Sequence, residues 1–291
     1  FANQNGRTFR AVVDFRRIPT HKDRLPEEML VRDRKFWSQY STRLIGNWIT
    51  EDTSVKEICE WNRRIYLRRD LTGFQGNPTF VRDNDAQKGF SKLRSAIASL
   101  YAWRFRFTPD LTLKARYSKE ADFAYRQALA FGPINPEVCF KYVSFLDALG
   151  RFEHSQGKHQ SALQRFADAD QIAATLDAMD PKSDAGQRLQ FTSFIRQEQF
   201  HETQSDYFMA AQFATNIIRL GKLDPKSKDS ALKRAQRHEA RVLRFQAPIL
   251  AFQKNPASLT HFQKAVRAYY EQRQTKKLAL AIEKFTHHAN L

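Results

Sequence analysis

Cysteine is nearly missing from this chain: Cys59 and Cys139 stand alone, eighty positions apart. Two thiols build neither a disulfide framework nor a zinc site. Both fall in helical patterns, where buried free thiols are expected. Glycine and proline are scarce too, ten of each in 291 residues, which disfavours a turn-rich β fold and favours helices. No apolar run exceeds a few residues, so no segment is long enough to cross a bilayer as a helix. A mean hydropathy of −0.62 agrees. No secretory hydrophobic region is visible, and the chain opens at Phe1 without an initiator Met. It is therefore expected to be a processed product or the tail of a longer protein. The short catalytic signatures are missing as well: no H-E-x-x-H, G-x-S-x-G, Walker loop or G-x-G-x-x-G occurs.

What is present is a globular composition with a basic excess. Hydrophobic residues make up 42% of the chain, enough for a packed core and unlike a disordered tail. The net charge is +17, with +10 over residues 1–118 and +7 over the rest. Such a field attracts polyanions, whether nucleic acid, anionic lipid or an acidic protein; the plain alternative is a solvated basic surface that aids solubility.

The pattern along the chain divides it into three. Residues 1–25 lack helical periodicity. Thr8–Phe15 mixes alternation with β-branched residues and reads as an extended arm. Residues 26–108 form a helical module. Pro26 with Glu27 and Glu28 opens a helix whose inward face is Leu30, Phe36, Trp37, Tyr40, Leu44 and Trp48. Ser54 and Glu57 make a capping box for a second helix through Ile58, Trp61, Ile65 and Tyr66. A third runs from about Asp85 to Phe107, with Phe90, Leu93, Ile97, Leu100, Tyr101 and Trp103 expected inward. From 109 to 291 the texture becomes alanine-rich. Asn135-Pro136, Asp180-Pro181, Asp224-Pro225 and Asn255-Pro256 punctuate it at spacings of 45, 44 and 31 residues. Regular stops with two helices between them are the mark of a helical-repeat array. The fold class is all-α.

The repeat texture resembles the tetratricopeptide family. A first helix presents Phe140, Tyr142, Val143, Phe145 and Leu146 and turns at Leu149-Gly150, with about seven extra residues before its partner. That partner carries Ala162, Phe166 and Ala169, small–aromatic–small. Asn255–Phe285 places Tyr269, Tyr270, Leu278 and Ile282 comparably, while the middle repeat around Ala210, Ala211 and Phe213 is degenerate. Earlier strings, "RDRKFWSQYSTRLIGNWITEDTSVKEICEW", "RIYLRRDLTGFQGNPTFVRD", "AQKGFSKLRSAIASLYAWR" and "EADFAYRQALAFGPINPE", resemble the C-terminal part of a bacterial membrane family. It is the protein O-mannosyltransferase-like family (domain of unknown function 2723). The resemblance covers residues 26–150 well and the remainder loosely. It implies an extracytoplasmic appendage that ends in tetratricopeptide-like repeats. The membrane spans and acidic catalytic residues of that family have no counterpart here, so no functional residue carries over.

Candidate chemistry is sparse. Glu198-Gln199-Phe200-His201 is half of a di-iron motif without its second half, and a surface or capping histidine is expected. Asp168, Asp170, Asp177 and Asp180 are expected along one solvated face, and no metal, cofactor or catalytic residue is assigned. Two basic–aromatic clusters remain as polyanion candidates. In one, Arg63, Arg64, Arg68 and Arg69 flank Ile65, Tyr66 and Leu67 on an amphipathic helix; in the other, Arg104 and Arg106 alternate with Trp103, Phe105 and Phe107. Alternatively the rings are core and the arginines its wet border. Three functions follow: a non-catalytic scaffold that docks a protein partner within a larger membrane-associated assembly, a polyanion-binding protein, or an auxiliary domain of a membrane glycosyltransferase.

Overall fold

The structure is a computed structural model that describes residues 25–272 and 274–289. Helix is the only regular secondary structure among them, and none of these helices is long and apolar enough to cross a membrane. The arm expected over residues 1–25 lies, Leu25 apart, outside the described residues. The chain divides into two compact units, one built from residues up to Glu51 with Gly73–Phe131, the other from Asp52–Thr72 with Gly132 onward.

The first unit holds α1 (Glu27–Ile45), α3 (Pro78–Arg82), α4 (Asn84–Phe107) and α5 (Leu111–Phe131). Pro26 is the N-cap of α1, and Glu27 and Glu28 oppose the helix dipole in its first turn. Asp83 caps α4 by accepting from the Asp85 and Ala86 amides. α4 and α5 lie along one another, with Ser91, Ser95 and Ala98 buried on one helix and Ala121, Ala124 and Ala128 on the other. Small side chains let the two backbones approach. This contact moves the expected boundary near residue 108 to 131/132, because α5 completes the first unit instead of opening the repeats.

The contact also corrects the inward face of α4. The expected stripe forms the core only in part: Tyr101 is buried and Phe90 packs on Phe80 and Phe131, but Leu93 is 56% exposed, Leu100 45% and Trp103 38%, whereas Arg94 and Arg104 are buried. On α1, Leu30, Trp37 and Leu44 are buried as expected, but Phe36 is 49% exposed.

The second unit begins with α2 (Val55–Asn62), opened by the capping box: Ser54 Oγ accepts from the Glu57 amide, and the Glu57 carboxylate accepts from the Ser54 amide at 2.6 Å. A π-helical turn, Arg63–Leu67, continues it, and α2 packs on α7. The chain then runs through α6 (Pro136–Ser155), α7 (His159–Met179), α8 (Ala185–Thr203), α9 (Tyr207–Arg219) and α10 (Pro225–Arg241). A second π-helical turn, Val242–Gln246, leads to α11 (Ala247–Lys254), α12 (Leu259–Glu271) and α13 (Thr275–Ala289). Each packs chiefly on its neighbours in the chain. Asn135-Pro136 and Asp224-Pro225 start helices, while Asp180 and Asn255 end them.

Two local expectations fail here. α6 does not turn at Leu149-Gly150 but continues to Ser155. Gly150 serves packing, since a Cβ there would lie 2.8 Å from the Phe166 ring. The acidic residues of α7 are not all solvated either. Asp168 is 7% exposed and accepts from Gln164, and Asp170 accepts from Ser193 and Gln197 of α8. Burial pushes the Asp170 carboxyl up, and those two donors pull it part of the way back.

Candidate functional site

The apolar stripe that α4 keeps out of the core faces α1 across an open groove of about 710 Å³. Leu25, Leu30, Phe36 and Trp37 line one wall; Leu93 and Leu100 line the other. Met29 and Phe36, half exposed on α1, face Leu93 and Leu100, half exposed on α4. Scattered single apolar residues are ordinary on a surface, whereas a contiguous set lining a concavity marks a binding site.

The groove lies over a buried polar cluster. Arg94 is 1% exposed; its Nη1 donates to Asp33 Oδ2 at 2.8 Å and its Nε to Gln127 Oε1 at 2.8 Å. The Tyr101 hydroxyl donates to Asp33 Oδ2 at 3.1 Å, and Gln127 Nε2 donates to Ser41 Oγ at 3.1 Å. The Arg94 guanidinium also stacks 5.2 Å over the Trp37 ring. Burial lowers the Arg94 pKa, though Asp33 opposes it; burial, with Asp33 beside it, raises Tyr101. These groups answer one another, so the cluster fixes α1 against α4 and leaves the groove above it apolar. Arg34 ties α1 to α5 through Glu120, Nε to Oε2 at 2.9 Å.

The second unit holds a cavity of about 660 Å³ between α9 and α10, lined by Phe208, Thr215, Arg219, Glu239 and Leu243 among others. Its lining is mixed, without the continuous apolar walls of the first.

Arg63 and Arg64 are half-buried in the π-helical turn, and Arg64 donates to the Thr72 carbonyl at 3.4 Å. Arg68 and Arg69 lie past the helix end and are exposed, with Arg69 in the left-handed region at φ 57°. The one amphipathic flank expected for these four is therefore broken by the π turn. Arg104 is 3% exposed with its guanidinium 5.9 Å over the Tyr117 ring, so it presents no charge to solvent. Arg106 is exposed.

The repeat positions behave as packing residues. Ala162, Phe166 and Ala169 are buried on α7, Tyr269 is 7% exposed in a C-terminal cluster with Phe252, Ala265 and Ala281, and Phe140 is half-buried. The E-x-x-H pair is not on the surface. His201 is 7% exposed and bonds Asp206, the N-cap of α9; Glu198 is 2% exposed and engages Arg234 and His238 of α10.

Met29, Phe36, Leu93 and Leu100 line the open groove, and periodicity assigned most of them to the core. The signal that distinguishes them is Ser91, Ser95 and Ala98, a small-residue stripe at helical spacing that competes for the inward position. No family model, curated protein or solved structure matches this chain.

Proposed function

We propose that the protein is a non-catalytic helical scaffold that docks a protein partner in the groove between α1 and α4. The carrying observation is the inversion of α4, which buries Arg94, Ser91 and Ser95 and leaves Leu93 and Leu100 on an open wall. A soluble domain gains nothing in its own fold from that exposure, and a partner would bury it. The packing of helices α6 to α13 on their chain neighbours supports a tetratricopeptide-like array in the second unit, a form that presents extended surfaces. The resemblance of residues 26–150 to the tail of a membrane family supports a place in a membrane-associated assembly.

The test is a photoreactive amino acid at position 100 in the protein expressed in its source cells, with the same group at Arg69 as control. A discrete protein adduct from position 100 alone, persisting at high salt, is the expected result. An adduct to nucleic acid that high salt abolishes would overturn the reading in favour of polyanion binding, since phosphate contacts weaken steeply with salt.

A further inference from the structure

The exposed face of α4 has a register of its own. Leu93, Ala96, Leu100, Trp103 and Phe107 recur at steps of three and four residues, which is the a/d spacing of a heptad. All five are exposed, the four large ones by 56, 45, 38 and 48% in chain order. A 3.5-residue stripe stays in line with a second helix laid along it, and the small Ala96 between larger neighbours offers a hole for a knob. Over Leu93–Phe107 the stripe is about 21 Å long at 1.5 Å per residue. The groove beside it adds a second wall, so an incoming helix would rest on α4 and against Phe36 and Met29 of α1.

The charges at the rim select among occupants. Arg32, exposed, is the cation of the groove lining, and Arg106, also exposed, stands one position before Phe107 at the end of the α4 stripe. The acid in the lining is Asp33, which Arg94 and Tyr101 already engage. A second copy of this chain, itself at +17, would set cation against cation. Residues 1–24 are a poor match as well, with Arg7, Arg10, Arg16, Arg17, Lys22 and Arg24 against Asp14 and Asp23.

We infer that the groove receives one amphipathic α-helix from another protein, with apolar side chains in heptad register and acidic residues flanking them. This rests on the docking reading above and specifies the partner. Such a helix-in-groove complex places apolar anchors at i, i+3/i+4 and i+7, with charge setting orientation and choice of partner.

The test uses the full chain and labelled synthetic helices of about three heptads, read by fluorescence anisotropy. One peptide carries Leu at a and d with Glu at e and g. A second replaces Glu by Lys, and a third keeps Glu but replaces Leu by Ser. The Leu/Glu helix should bind at least about ten-fold more tightly than either of the others, and Leu100→Glu should weaken it by a similar factor, since anchors dominate such contacts. Circular dichroism of Leu100→Glu should match the parent, because the residue is not core. Equal binding of the Ser peptide, or indifference to Leu100→Glu, would reduce the effect to bulk charge and overturn the inference. Equal binding of the Lys peptide would overturn the acidic partner while leaving the docking groove intact. Failure of both Leu-bearing helices would remove the helix, and the cellular crosslink would then decide the docking reading separately. A photoreactive group at position 100 of the purified protein should capture neither residues 1–24 nor a second chain; capture of either would overturn the inference.

Discussion

At Gly186 an added Cβ would lie 2.4 Å from the backbone nitrogen and Cα of Asp177, so α7 and α8 touch where a side chain has no room. Gly186→Ala should destabilise the protein by about 1–3 kcal/mol or more, because backbone must move. Gly89→Ala should do the opposite. That glycine lies in α4 with nothing within 4 Å of the Cβ position, so relief of backbone entropy should stabilise by roughly 0.5–1 kcal/mol. Denaturant midpoints of the two variants, shifted in opposite directions, check both. Arg94→Met would leave Asp33, half-buried in the groove lining, with the Tyr101 hydroxyl but without its guanidinium partner, which should cost up to about 3 kcal/mol, while Arg94→Met with Asp33→Leu should recover much of the loss. Urea titrations of the single and double variants measure the difference. Cys59 gives a pH signature. Burial raises its thiol to about 11, above its ordinary value near 9, and burial also raises Cys139. The unfolded chain loses the Cys59 proton first, so its contribution to stability is whole below about 9 and is lost as pH rises through 11. Thermal melts from pH 9 upward should fall, and a thiol reagent at pH 8 should label the denatured protein only. A buried thiol was legible from the helical setting of each cysteine. The close approach at Gly186 was not, because it depends on where a second helix lies.

At the scale of the element, α4 carries the argument. Its span was readable to within a residue, since Asp83 caps it and Pro109 follows it. Its orientation was not. Two stripes compete on it, a large apolar one and a small one, and periodicity favours the large. Ser91, Ser95 and Ala98 face inward because α5 offers Ala121, Ala124 and Ala128, and the pair closes only where side chains are small. Leu93→Gln and Leu100→Gln should therefore leave stability within about 0.5 kcal/mol of the parent, whereas Ser95→Leu should overpack the helix pair and cost about 1–3 kcal/mol. Calorimetry on the three variants decides which stripe is core. A loss from Leu100→Gln equal to that from Ser95→Leu would return the large stripe to the interior. The capping box at Ser54 shows the opposite case: four residues of sequence, Ser54 to Glu57, specify the local geometry, because both partners are on the same turn.

For the whole molecule the charge sets a separate expectation. Heparin should bind at low salt and release well before high salt, with a shallow dependence, because neither candidate cluster presents all of its arginines on one exposed flank. Arg104 is buried under Tyr117, and Arg68 and Arg69 lie beyond a π-helical turn. Removing Arg68 and Arg69 together should lower the salt slope by no more than about two counterions, measured by elution or by titration across salt. A larger change would identify a concentrated site on that turn.

Helical periodicity, capping residues and proline stops determined the all-α class and the starts of α1, α2, α4, α6 and α10 from the sequence alone, since each is an interaction within a few residues. Tertiary structure decided the rest: that α5 joins α4 rather than the later helices, that Gly150 packs instead of turning, and that Arg94 is buried while Leu100 is not. Those outcomes depend on which surfaces fit one another, and a one-dimensional pattern ranks a side chain by its hydrophobicity, not by the room its neighbour leaves.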